Sequence, residues 1–161
     1  KNIGKCVFNS LWIGRCFGKP ALTNLRERAV LCSGSTLGSY NAINHYVRTM
    51  LQSMDSVKCW LKGIESDQGY QNYLFYNGKF DNPNGVGNVT AIPQGRGIVN
   101  TIGAMNGHRV PKNMKGPLDT FWKARNADGY IINYDGSLSP CVHQWDRWYA
   151  DLAKWVDRTL F

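Results

Sequence analysis

An α/β protein, a mixed sheet with flanking helices, is the fold that this sequence predicts, and three observations predict it. Residues from Tyr40 to about Met54 place Ala42, Ile43, Tyr46, Val47, Met50, Leu51 and Met54 at helical spacing behind a Ser39 N-cap. Short apolar runs such as Ala29-Val30-Leu31-Cys32 read as buried strands. Asp135-Gly136 lies between Tyr130-Ile131-Ile132-Asn133 and Pro140-Cys141-Val142-His143, which predicts a hairpin. A length of 161 residues suits one domain, and 43% hydrophobic residues can supply its core.

Taken in order, Lys1 to Pro20 carries Val7, Phe8, Leu11, Trp12, Ile13 and Phe17 among Gly and Cys, and reads as a short helix or an irregular packed segment. Leu22 and Leu25 fit one helical turn, and the strand Ala29–Cys32 follows. Ser33-Gly34-Ser35-Thr36-Leu37-Gly38-Ser39 then turns from strand to helix; its small residues let the backbone approach a neighbour closely. On the Tyr40 helix, His45 and Arg48 lie off the apolar stripe and are expected to face solvent. Val57 to Ile64 connects to a second helix that ends at Asn77-Gly78.

Asp81 to Gly87 has the Pro, Gly and Asn content of an exposed loop. Two strands, around Val89–Ile92 and Ile98–Ile102, are expected to flank the turn Gln94-Gly95-Arg96-Gly97. Gly103 to Lys115 is loop-like, and a final helix from about Arg147 carries Trp148, Leu152, Trp155 and Val156 on its buried side.

Composition narrows the function classes. The formal charge of +8 has no block of five like charges, so it describes a solvated basic face or an attraction to anions such as a nucleotide diphosphate. No nucleic-acid-binding motif accompanies it, and nucleic acid is not an expected partner. The aromatic share of 12%, with six Trp and eight Tyr, fits a large core or a carbohydrate-facing surface. Cys6, Cys16, Cys32, Cys59 and Cys141 form no C-x-x-C pair, which leaves one or two disulfides and a spare thiol as the expected pattern. Asn88-Val89-Thr90 is an N-glycosylation sequon, consistent with the secretory pathway, in the Golgi lumen or outside the cell. No apolar run has the length of a membrane span, and no signal peptide is visible.

The polar chemistry concentrates in Glu65-Ser66-Asp67-Gln68-Gly69-Tyr70-Gln71-Asn72-Tyr73, which holds acids, carboxamides and rings but no Lys or Arg. Asp67 and Gln68 open the helix, and Asn72 follows Gln68 by four residues on the same face. Either this is a sugar-binding or catalytic edge, or Asp67 is an N-cap with Tyr70, Tyr73 and Leu74 packed beneath it. His143, at the end of a predicted strand, is a candidate metal ligand, and Arg147 a phosphate partner. A Cys32–His143 thiol pair matches no cysteine-protease signature. Glu65 and Asp67, two apart on a helix, diverge and do not form a glycosidase pair. Phosphate-cradling Gly motifs are absent.

Three segments in this order resemble the C-terminal half of a GT-A-type glycosyltransferase, similar in layout to the glycogenin-like retaining family. They are Leu31–Ser39 leading into a helix, Asp67-Gln68 with Asn72-Tyr73, and His143-Gln144-Trp145-Asp146-Arg147. The resemblance covers most of residues 29–147 and rests on order and spacing. It implies that Asp67 and Gln68 are catalytic and face the donor sugar and the acceptor. It also implies that Ser33, Gly34, Asn72, Trp145 and Arg147 contact substrate, with Arg147 neutralising the leaving diphosphate. His143 would hold a divalent metal, Mn or Mg. The implied partners are a nucleotide-sugar donor, a glycan or protein acceptor, and an N-terminal half of the same protein. That half carries the family's nucleotide-binding βαβ unit and D-x-D pair, and neither is found in this chain. The alternative expectation is therefore a non-catalytic carbohydrate-binding or structural glycoprotein on the same scaffold.

Overall fold

The computed structural model describes residues 2–62, 66–81, 89–102 and 126–144. The chain divides into two compact units, Lys1–Ala91 and Ile92–Phe161. The coarse class is α/β: helices together with a small two-stranded parallel sheet.

Among the described residues, three α-helices build the first unit: α1 (Val7–Leu25), α2 (Tyr40–Val57) and α3 (Asp67–Tyr76). The expected short helix and separate turn are thus one element, broken at Gly18, whose φ of 88° leaves the helical region. Pro20 explains the break, since it can donate no backbone bond and suits the opening turn of a new helical segment. The predicted core helix is present as α2, with the Ser39 hydroxyl accepting from Ala42 N at 3.4 Å. Lys58 ends it with a left-handed φ of 50°. α3 likewise stops where Asn77-Gly78 predicts, Gly78 having a φ of 64°.

Packing brings α1, α2 and α3 around Met50, Cys59, Tyr70, Leu74 and Phe80, with Trp12, Phe17 and Tyr46 against them. A second cluster of Ile3, Ile13 and Leu25 lies under Tyr73 and Tyr76. Tyr73 belongs to the surroundings of both clusters and stacks flat on Phe17, with ring centres 3.7 Å apart. Gly69 sets how closely α3 meets α1: a Cβ there would lie 2.8 Å from Cβ of Trp12. Cys16 on α1 is bonded to Cys59 beyond α2, across 43 residues of chain. That disulfide fits the expected cysteine pattern; Cys6, Cys32 and Cys141 stand outside it.

Ala29–Cys32 is not the buried strand that its apolar run predicts. Ala29 forms an isolated antiparallel bridge with Asn2, and Val30, Leu31 and Cys32 are half-buried and lie in no strand. The segment's backbone groups are taken instead by side chains of α3, as described below. A short apolar run specifies an extended chain without specifying what satisfies its N–H and C=O groups.

In the second unit, β1 (Val99–Thr101) and β2 (Cys141–His143) pair in parallel, with Val99 opposite Cys141 and Thr101 opposite His143. Residues 89–93 form no strand, so only the second of the two strands expected around Gln94–Gly97 is present. The Asp135-Gly136 hairpin exists but is shorter than expected. Ile132 bridges Leu138, Asn133 N donates to Ser137 O at 2.8 Å, and Gly136 takes a φ of 83°. The chain then leaves the hairpin, and 141–143 joins β1 in place of 130–133. Tyr134 N donates to Gly95 O at 2.8 Å, and the Tyr134 ring covers Gly95, where a Cβ would approach it to 2.9 Å.

The expected loops at 82–87 and 103–115 and the helix from Arg147 lie outside the described residues.

Candidate functional site

The start of α3 is where the polar groups of the first unit converge. Ser66, not Asp67, occupies the N-cap position, and its side chain makes no capping bond. Asp67 is the first residue of the helix, and its carboxylate, exposed, accepts from Gln68 N at 2.7 Å. An acid there is also favoured by the helix dipole. Gln68 is half-buried, and its Nε2 donates to Asn9 Oδ1 on α1 at 3.3 Å. Asn9 is 1% exposed, and its own Nδ2 donates to Cys6 Sγ at 3.2 Å.

One turn further on, α3 holds the chain that leads to the Ser33-Gly34 turn. Asn72 is fully buried; its Oδ1 accepts from Leu31 N at 2.8 Å, and its Nδ2 donates to Leu31 O at 2.9 Å and Gln68 O at 2.8 Å. Gln71 Nε2 donates to Cys32 O at 3.3 Å, and the Tyr76 hydroxyl donates to Ala29 O at 2.7 Å. A carboxamide or phenol from a helix thus does here what a neighbouring strand would do. Asn72 therefore does not project toward solvent as an expected substrate contact would: both of its amide protons go to backbone carbonyls and its oxygen accepts from Leu31 N. Ser33 is half-buried and Gly34 exposed, directly after the held segment.

Tyr46 on α2 closes the arrangement. Its hydroxyl donates to Gln71 Oε1 at 3.3 Å and shares a side-chain hydrogen bond with Thr36 of the strand-to-helix turn. Burial raises the pKa of this phenol above its ordinary value; the Thr36 bond opposes the shift, and the negative charge of Asp67 adds to it. Two of the three segments carrying the resemblance, the Ser33–Ser39 turn and the Asp67-Gln68 helix start, are thereby linked through one phenol.

The third segment belongs to the second unit. His143 is half-buried at the end of β2, with Nδ1 3.4 Å from the Thr101 hydroxyl of its register partner on β1. Gln94 braces the same strand, accepting from Thr101 N at 3.2 Å and donating to the buried Asn100 side chain. Among the described residues, no three His, Cys, Asp or Glu side chains come together as a metal-binding group. One imidazole without an adjacent carboxylate does not make a fit for Mn or Mg, which prefer oxygen ligands. Trp145, Arg147 and the sequon residue Asn88 lie outside the described residues.

Residue-by-residue reading passed over Asn9, Tyr46 and Gln71. Tyr46 sits on the apolar stripe of α2 and looks like core, which its ring is. His45, expected in solvent, is half-buried, and its Nε2 is buried with no hydrogen-bond partner among the described residues. Asn9 left a signal: it stands one turn before Ile13, and both are buried, so a polar group occupies the apolar face of α1. No family model, curated protein or solved structure matches the chain.

Proposed function

We propose that this chain is a glycosyltransferase, or the C-terminal portion of one with a GT-A fold, and that its sugar site lies at the start of α3. The supporting observation is the Tyr46 link, which joins the Ser33–Ser39 turn to the helix that begins with Asp67 and Gln68. Two segments far apart in sequence thereby present an exposed carboxylate, a carboxamide and a small-residue turn on one unit.

In the proposed reaction the bond between the sugar anomeric carbon and the diphosphate oxygen breaks, the acceptor oxygen forms the new bond at that carbon, and the acceptor's hydroxyl proton passes to the departing diphosphate. Asp67 opposes the positive charge that grows on the sugar ring, and Gln68 fixes a sugar hydroxyl. Ser33 and Gly34 let the substrate approach the backbone. Asn72 acts indirectly, by holding Leu31 and so the approach to the turn.

The Cys16–Cys59 disulfide supports a secretory-pathway setting, since such bonds persist in oxidising compartments. No helix among the described residues is long and apolar enough to cross a membrane.

Incubation of the protein with a panel of nucleotide sugars and Mn tests the reading by release of nucleoside diphosphate. Turnover that falls at least tenfold in Asp67→Asn and in Gln68→Ala supports it; turnover indifferent to both substitutions contradicts it. A second reading, glycan binding without transfer, is favoured by the missing D-x-D pair. It is distinguished by binding to a glycan array that persists in chelator while no donor is consumed.

A further inference from the structure

Gln68 has a carboxamide with one edge tied down. Its Nε2 donates to Asn9 Oδ1 at 3.3 Å. Asn9 is 1% exposed, lies one turn before the buried Ile13 on α1, and donates from Nδ2 to Cys6 Sγ at 3.2 Å. In this relay Asn9 Nδ2 donates to the Cys6 sulfur and Gln68 Nε2 donates to the Asn9 carbonyl oxygen. The backbone of α3 adds to the restraint at the next residue, where Gly69 lies directly against Trp12 of α1. A carboxamide held by its nitrogen presents its oxygen on the other side.

We propose that Asn9 is a positioning residue for Gln68: it retains Nε2 against α1 and thereby presents Oε1 to the sugar as a hydrogen-bond acceptor. The ligand group that matches is a donor, a sugar hydroxyl carrying its proton. A fluorine at the same carbon accepts but cannot donate and does not satisfy Oε1. This rests on the glycosyltransferase reading of the α3 start and adds to it which end of Gln68 meets the substrate.

The test uses the full chain labelled with nitrogen-15, with the side-chain amide of Gln68 identified by its disappearance in Gln68→Ala. In the unsubstituted protein that amide exchanges with solvent about tenfold more slowly than a free glutamine amide, as one retained hydrogen bond requires. Asn9→Ala brings it to the free rate and lowers donor turnover in kcat about tenfold, with KM near its original value. Asn9→Asp, which keeps an acceptor for Nε2, restores part of that loss. A folded Asn9→Ala protein with unchanged amide exchange overturns the proposal. If Asn9→Ala does not fold, Gln68→Ala reports from the other side: the Asn9 amide resonances shift when the bond exists, and their constancy overturns it. Equal donor kcat in Asn9→Ala and the unsubstituted chain removes the positioning role and leaves the glycosyltransferase reading standing. Slow amide exchange in a protein that neither binds nor consumes any nucleotide sugar removes that reading, with the Asn9 anchor retained.

Discussion

Asn72 bonds both backbone groups of Leu31, accepting from its N–H at 2.8 Å and donating to its carbonyl at 2.9 Å. A fully buried carboxamide on a helix thus replaces the strand partner that Leu31 lacks. Truncation leaves Leu31 N, Leu31 O and Gln68 O without it, and unsatisfied buried groups are costly. Asn72→Ala is expected to lower stability by about 2–4 kcal/mol, read as a shift of the urea midpoint. Asn72→Asp is expected to be at least as harmful, because a carboxylate cannot donate to the two carbonyls. A change below about 0.5 kcal/mol in both would show that the 29–32 segment is held by other means.

Tyr46 gives the first unit a sensitivity to alkali. Its pKa is raised in the fold, chiefly by burial, so the native state retains the phenolic proton where the unfolded chain loses it. The associated stability is complete below the unfolded value of 10.0 and is lost as pH rises through the higher folded value. Urea titrations at rising pH should therefore show stability falling above pH 10 or so, with a shallower fall in Tyr46→Phe. The same substitution deletes the bonds to Gln71 and Thr36 and should increase amide exchange in 33–39. Identical pH slopes for both proteins would contradict this.

The disulfide between Cys16 and Cys59 closes a loop with a sequence separation of 43 residues. By loop entropy this contributes about 4 kcal/mol. Cys16→Ser with Cys59→Ser should lower the melting temperature, and dithiothreitol should lower that of the unsubstituted protein to a similar value while leaving the double variant unchanged. A melting temperature unaffected by reductant would contradict the pairing.

Gly69 is where α3 and α1 touch most closely. An added Cβ meets Cβ of Trp12 at 2.8 Å, a stem atom that cannot swing aside. The gain in helix propensity from Gly69→Ala, about 1 kcal/mol, is then outweighed by overpacking of about 1–3 kcal/mol. A net loss in thermal stability is expected, with Gln68 displaced from Asn9; a stabilised variant would show that α1 yields freely.

The helices α2 and α3 were legible because their signals are local, whereas α1 was expected only as a short helix or irregular segment with a separate turn. Ser39, the apolar stripe from Ala42 to Met54, and Asn77-Gly78 each specify a start, a face or a stop within a few residues. The pairing of Cys141–His143 with Val99–Thr101 was not legible, since a parallel ladder joins segments 42 apart in register and short apolar runs do not name their partners. Asp135-Gly136 did specify its turn, but a turn fixes only the residues next to it, and the arms end at Ile132 and Leu138. For the site, Asp67 and Gln68 stood out by composition, and Asn72 by its spacing. What Asn72 does was hidden, because a substrate contact and a backbone clamp require the same carboxamide. Tyr46 was hidden for a related reason: a tyrosine can fill a core with its ring and serve a site with its hydroxyl.

The most direct measurement is release of nucleoside diphosphate from a panel of nucleotide sugars by the unsubstituted protein and by Gln68→Ala, both checked for intact fold. The expected result is donor turnover that falls at least tenfold in Gln68→Ala. Equal turnover in the two folded proteins, or none with any donor in the unsubstituted protein, would contradict a sugar site at the start of α3.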